Sequence, residues 1–187
     1  MTYNRDALIE LIQAEALAFG DFTLASGKKA SFYLDCRKVT LHSAGAALVG
    51  AGMLDAIETR FPGDAFPYAV GGMAIGADPI VGAVITTAAL RGRELRGFIV
   101  RKESKTHGTG SDVEGHAGEG ASCVIAEDVV TTGGSALKAI EKVRARGMNV
   151  IGAIAIVDRL AGGQEAFAAV GVPLMSLLTI RDLGIEG

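Results

Sequence analysis

Apolar positions along the chain fall into two kinds of run, and their alternation sets the expected architecture. Short apolar or β-branched runs at 68–70, 95–100, 150–157 and 174–178, with another opening at Val124, read as strands covered on both faces. Between them, apolar residues recur at helical spacing. Leu8, Leu11 and Ile12 predict an amphipathic helix over 4–19, with Asp6 in its first turn and Gly20-Asp21 ending it. Leu48, Leu54 and Ile57 predict a helix running from an N-capping Ser43 to about Arg60, closed by Pro62-Gly63. Its Gly45, Gly50 and Gly52 would each cost a free helix about 1 kcal/mol relative to alanine. They therefore predict close approach to a neighbouring element or subunit. After the strand at 68–70, Gly71-Gly72 reads as a tight turn, and Asp78-Pro79 opens a helix as N-cap and first residue. Leu137, Ile140 and Val143 share one face of a helix that stops at Gly147, and a short helix follows at 164–170.

Strands alternating with helices predict an α/β protein: a mostly parallel twisted sheet, right-handed crossovers and helices on both faces. One segment, 22–35, stands outside that alternation and reads as two extended pieces joined at Ser26-Gly27. No repeat or low-complexity linker divides the chain. Its 187 residues suit a single domain over 1–187 with a small appendage at 1–40.

Composition and charge then exclude several classes. No apolar run approaches the ~18 residues of a membrane span, and the N-terminus lacks a basic region leading into an apolar one. Cys36 and Cys123 are too few for a disulfide framework or metal cage, so the expectation is a cytoplasmic protein. Cys123 is expected as a small core residue. A net charge of −3 argues against nucleic acid as partner. Positive charge is nonetheless concentrated: six of the eighteen Lys and Arg fall between Arg91 and Lys105, against two acids. Either a solvated surface or a pocket for a polyanion accounts for that.

The candidate chemistry centres on 124–136. An apolar strand is expected to end at Glu127 and Asp128, followed by Thr131, Thr132, Gly133, Gly134 and Ser135, then a helix. Glycines bring backbone N–H groups close, hydroxyls add donors, and the helix presents its positive end, so the turn suits a phosphate. Carboxylates beside such a cradle repel phosphate unless the ligand also brings hydroxyls or a cation; a ribose 5-phosphate offers the former. Neither G-x-x-x-x-G-K-[ST] nor G-x-G-x-x-G occurs after a strand. An ordinary βα turn also carries Gly, Ser and Thr; the paired acids set this one apart.

Glu127-Asp128-Val129-Val130-Thr131-Thr132-Gly133-Gly134-Ser135 resembles the phosphoribosyl-pyrophosphate (PRPP) motif of type I phosphoribosyltransferases, with Glu127 where many members have Asp. The resemblance implies that the acids hold ribose hydroxyls and that the loop holds the 5-phosphate. Phe22-Thr23-Leu24-Ala25-Ser26-Gly27, followed by Phe32, Tyr33 and Asp35, resembles the N-terminal hood of orotate phosphoribosyltransferases, here within 1–40. That implies an orotate site involving Tyr33, Thr131 and Arg159, the last following the strand at 150–157. Arg101-Lys102-Glu103-Ser104-Lys105-Thr106-His107-Gly108 resembles the family's catalytic loop and begins a polar stretch reaching about Gly120. Lys105 would stabilise the leaving pyrophosphate, assisted by Arg101, Lys102 and His107, with His107 and Asp128 also catalytic.

Two positions depart from the family. Ala25 stands where many members carry a PRPP-contacting lysine, for which Lys28 or Lys29 is the candidate replacement, and Ile75 stands where many have a lysine in the pyrophosphate-facing turn. The implied reaction joins orotate and PRPP into orotidine 5′-monophosphate and pyrophosphate. Mg²⁺ would be held mainly by PRPP rather than by protein ligands, and a homodimer would share the catalytic loop between subunits. A purine enzyme of this class and a non-catalytic PRPP-sensing regulator are the alternatives.

Overall fold

The computed structural model describes residues 2–23, 29–103 and 112–186. After α1 (Arg5–Leu11) and one wide π turn at Ile12–Ala16, the strand β1 (Leu17–Thr23) pairs antiparallel with β2 (Lys29–Leu34). The predicted helix over 4–19 thus stops early. Its last residues have helical propensity, but Leu17 and Phe19 pair with Leu34 and Phe32, and tertiary pairing overrides local preference. A short α2 (Arg37–Thr40) and a long α3 (Ser43–Arg60) follow. Ser43 lies one residue inside α3, and His42 holds the cap position without a side-chain bond.

The main sheet comprises β3 (Ala69–Met73), β4 (Arg96–Val100), β5 (Val113–Gly115), β6 (Ser122–Val130), β7 (Asn149–Asp158) and β8 (Leu174–Thr179). Its order is β5-β4-β3-β6-β7-β8, parallel except for β5, which runs antiparallel along β4. The polar stretch expected to run as loop to about Gly120 therefore contains a strand, Val113 opposite Val100. Crossovers are α4 (Ala77–Leu90), α5 (Gly134–Ala145) and α6 (Gly163–Ala169).

Period-two alternation feeds two cores. Val70, Val124, Ala126, Ile154 and Ile156 face α1, α3 and α4, whereas Ala69, Cys123, Ile125, Ala153 and Ala155 face α5 and α6. Helices cover both faces, as expected. The glycines of α3 do mark close approach, but within the chain. A Cβ on Gly50 would stand 2.7 Å from the Ala83 carbonyl oxygen of α4, and one on Gly52 would stand 2.7 Å from the Tyr3 ring.

Gly71 and Gly72 form no turn; both are buried inside β3. A Cβ on Gly72 would lie 2.1 Å from the Ala126 carbonyl oxygen, and one on Gly71 would lie 2.4 Å from the Phe98 ring. A central strand squeezed between β4 and β6 explains the pair better than a turn does. The chain turns instead at 74–76, where the Ala74–Ile75 peptide is cis, and α4 begins at Ala77, so Asp78 and Pro79 sit inside its first turn.

Between β3 and β6 the connectivity reverses: β3 leads outward to β4, and β6 leads the other way to β7. At such a switch point the two carboxyl-end loops part and leave a crevice.

Candidate active site

That crevice is a cavity of about 440 Å³, lined by 73–76 from the exit of β3 and by Glu127, Asp128, Val129, Thr131 and Ser135 from β6 and its turn. Tyr33, Leu34, Asp35 and Arg37 close it from the hood side, with Arg159 and Lys102 at its edges. β6 does not end at the acids. It continues to Val130, with Glu127 opposite Ala155 and Val130 opposite Asp158, so both carboxylates ride on a strand held in the sheet.

Glu127 is only 7 % exposed. Its Oε1 accepts a 3.3 Å bond from the Asp128 N–H, while Oε2 is buried without a hydrogen-bond partner. Burial, reinforced by the adjacent Asp128 charge, pushes its carboxyl up from 4.5 to about 8. Asp128 accepts from the Val129 N–H at 2.7 Å and lies against the 74–76 turn, its Cγ 3.3 Å from where a Cβ on Gly76 would stand.

The turn beyond is built for close backbone approach. Gly133 is left-handed (φ 80°), and a Cβ there would meet the Phe167 ring at 2.9 Å. Gly134 opens α5, whose first N–H groups face the turn. Thr131 and Ser135 reach the cavity; Val130 is buried, and Gly163 packs within 2.5 Å of its side chain when given a Cβ. Thr132 is exposed beside them.

Arg159 follows β7, its N–H donating to the Val130 carbonyl at 2.8 Å, which ties it to the strand of the acids. Its guanidinium lies 4.7 Å from the Phe32 ring centroid. Buried Asp158 holds this corner by accepting from the Leu160 N–H (2.9 Å) and Gln164 Nε2 (3.1 Å). Tyr33 is half exposed, its ring 5.7 Å from that of Phe22.

Arg101 is placed differently from the rest. Its Nη1 is 3.5 Å from Glu114 Oε1, and it lines an adjoining hollow with Asp78 and Glu103. Lys102 borders both spaces. The ends of this segment are fastened to α5: Lys142 Nζ donates to the Arg101 carbonyl at 2.8 Å and pairs with Asp112 at 3.3 Å. Lys105 and His107, like Ala25 and Lys28, lie outside the described residues. Lys29 is exposed at the start of β2. Gly71 is buried within β3.

Sequence reasoning missed Arg37 and named Asp35 only as part of the hood pattern, with no place in the site. Arg37 Nε and Nη2 donate to Asp35 Oδ1 and Oδ2 at 2.7 and 2.9 Å, and the guanidinium holds the Asp35 carboxyl below its usual range. The i, i+2 spacing of acid and arginine just past the hood aromatics was the available signal. Among the described residues no group of three or more His, Cys, Asp or Glu stands ready to hold a metal ion. Glu127 and Asp128 present carboxyl oxygens to the cleft, hard donors of the kind Mg²⁺ takes.

A family model, the phosphoribosyl transferase domain, matches residues 65–171. An orotate phosphoribosyltransferase of Rhodopirellula baltica is 56% identical over 186 residues, covering 98% of this chain and 96% of the relative. The crystal structure of the Mycobacterium tuberculosis orotate phosphoribosyltransferase in complex with Fe(III) dicitrate is similar with a TM-score of 0.85 at 37% identity, over 97% of this chain and 99% of that one. A structure of the M. tuberculosis enzyme in complex with PRPP gives a TM-score of 0.81 at 34% identity, with 97% and 99% coverage. Because the likeness runs through the hood as well as the sheet, the chain belongs to the orotate phosphoribosyltransferase family, on the type I phosphoribosyltransferase fold.

Proposed function

We propose that the protein transfers the 5-phosphoribosyl group of PRPP to N1 of orotate, releasing pyrophosphate and orotidine 5′-monophosphate. The observation that carries this is the crevice at the β3/β6 switch point, where two carboxylates on a rigid strand precede a glycine turn at the head of α5. The reach from turn to acids suits a ribose 5-phosphate: Thr131, Thr132, Gly133, Gly134 and Ser135 receive the phosphate, and Glu127 and Asp128 accept from the ribose hydroxyls. Backbone at Val129 and Val130 keeps the two groups in register. Orotate lies between Tyr33, Thr131 and Arg159, whose guanidinium pairs with the base's charged edge.

In the reaction the C1–oxygen bond breaks with its electron pair going to pyrophosphate, and N1 forms the new bond to C1 as its proton leaves. No covalent nucleophile is required. The protein's part is to hold the partners in line and to stabilise the departing polyanion. Lys105, assisted by Lys102, Arg101 and His107, supplies positive charge there, and His107 also carries a proton. Mg²⁺ held mainly by PRPP would supply Lewis-acid stabilisation, and Glu127 and Asp128 are the residues that would offer it carboxyl oxygens.

Residues 1–187 act as one domain with 1–40 as a hood over the base, in a cytoplasmic homodimer whose 101–120 segment serves the neighbouring subunit. Two free, buried cysteines suit a reducing compartment. The deciding experiment compares pyrophosphate release with orotate, uracil, adenine and hypoxanthine, with and without divalent metal. Orotate- and Mg²⁺-dependent release is the expected result; preference for a purine, or full activity without metal, rejects the proposal.

A further inference from the structure

The cleft needs positive charge on the side where pyrophosphate departs, and the 74–76 turn brings none: Ile75, 67 % exposed, occupies its tip. A cation reaches that side from another element. Arg37 lines the same cavity as Asp128 and 74–76, at the start of α2. Segment 35–37 lies close to Asp128, whose charge is felt both by the Arg37 guanidinium and by the buried Cys36 thiol, and α2 packs near α4, which begins beside the turn. The Asp35 fork holds the guanidinium through Nε and Nη2. Its Nη1 end remains available to donate.

We infer that Arg37 is a pyrophosphate-binding residue, oriented by Asp35, supplying the charge that Ile75 does not. This rests on the reading of the cleft as a PRPP site. With the 5-phosphate on the 131–135 turn and the ribose hydroxyls at 127–128, the substituent on C1 lies beyond Asp128. That is the side Arg37 shares with the turn. Arginine is suited to the task because its planar fork pairs with two phosphate oxygens at once while Asp35 keeps the plane fixed.

The test is calorimetric titration of the full chain with Mg²⁺-pyrophosphate and, separately, ribose 5-phosphate, using wild type, Arg37→Ala and Arg37→Lys. Arg37 is about half exposed, and thermal melting confirms that each variant is folded. Arg37→Ala is expected to weaken pyrophosphate binding by roughly 10- to 100-fold and Arg37→Lys by less, with ribose 5-phosphate affinity unchanged. Unchanged pyrophosphate affinity, or equal losses for both ligands, overturns the assignment. Orotate turnover by the wild type separates this test from the proposed reaction. Activity together with an unmoved pyrophosphate affinity rejects Arg37 alone, whereas inactivity together with the expected loss rejects the reaction and keeps Arg37 as an anion site.

Discussion

Glu127 shows how a ligand site taxes the fold at single-residue scale. Its carboxyl is buried with Oε2 unpaired and is raised from 4.5 to about 8, so the folded protein favours the neutral acid while the unfolded chain ionises readily. The stability this group confers is present below pH 4.5 and is lost as pH rises through about 8. Melting temperatures of wild type and Glu127→Gln between pH 5 and 9 should therefore diverge, with the wild type losing ground to the variant at alkaline pH; parallel curves would refute this. Asp128→Asn should leave melting unchanged and weaken PRPP binding by roughly tenfold or more, measured by titration. Arg159→Ala should raise the KM for orotate more than that for PRPP, since Arg159 sits against Phe32 of the hood; equal effects would mark it as structural. The acids and the glycine turn were legible because adjacent residues carry their pattern, whereas Arg159 was singled out only through the resemblance and its place after a strand. Arg37 was not, because its partner cavity is assembled from 73–76 and 127–135, distant in sequence.

Among elements, the β3/β6 contact positions the acids. Gly72→Ala would force a methyl against the Ala126 carbonyl, which is backbone and cannot rotate away. A loss of about 1–3 kcal/mol in denaturant unfolding is expected, together with weaker PRPP binding as β6 shifts. Strands and crossovers were readable from hydrophobic runs, yet three boundaries moved for physical reasons. β1 took the end of the first helix through pairing with β2, β6 ran on past its acids because β7 extends alongside, and Gly71-Gly72 proved to be spacing inside a strand. Each reflects a partner strand that local sequence does not disclose.

For the whole molecule, the proposed sharing of 101–120 between subunits has a quantitative signature. Lys105→Ala and Asp128→Asn homodimers should each be nearly inactive, while co-refolding equal amounts restores one site in each mixed dimer. With random pairing, activity recovers to roughly a quarter of wild type. No recovery, with subunit exchange verified, would show that each segment serves its own subunit. Sequence reached this arrangement only through resemblance, since one chain carries no pattern for its copy.

Among the described residues, β1 and β2 form a sheet of their own and share no ladder with the other six strands. Lifting this ribbon breaks no rung between β3, β6 and β7. On the proposed placement of the base beneath this ribbon, a flat ring would enter and a larger product leave while the acids stay at fixed spacing, so breathing of the roof and rigidity of the floor would be separate properties of one small protein. Amide exchange should record the division, with far weaker protection over 29–34 than over 123–127.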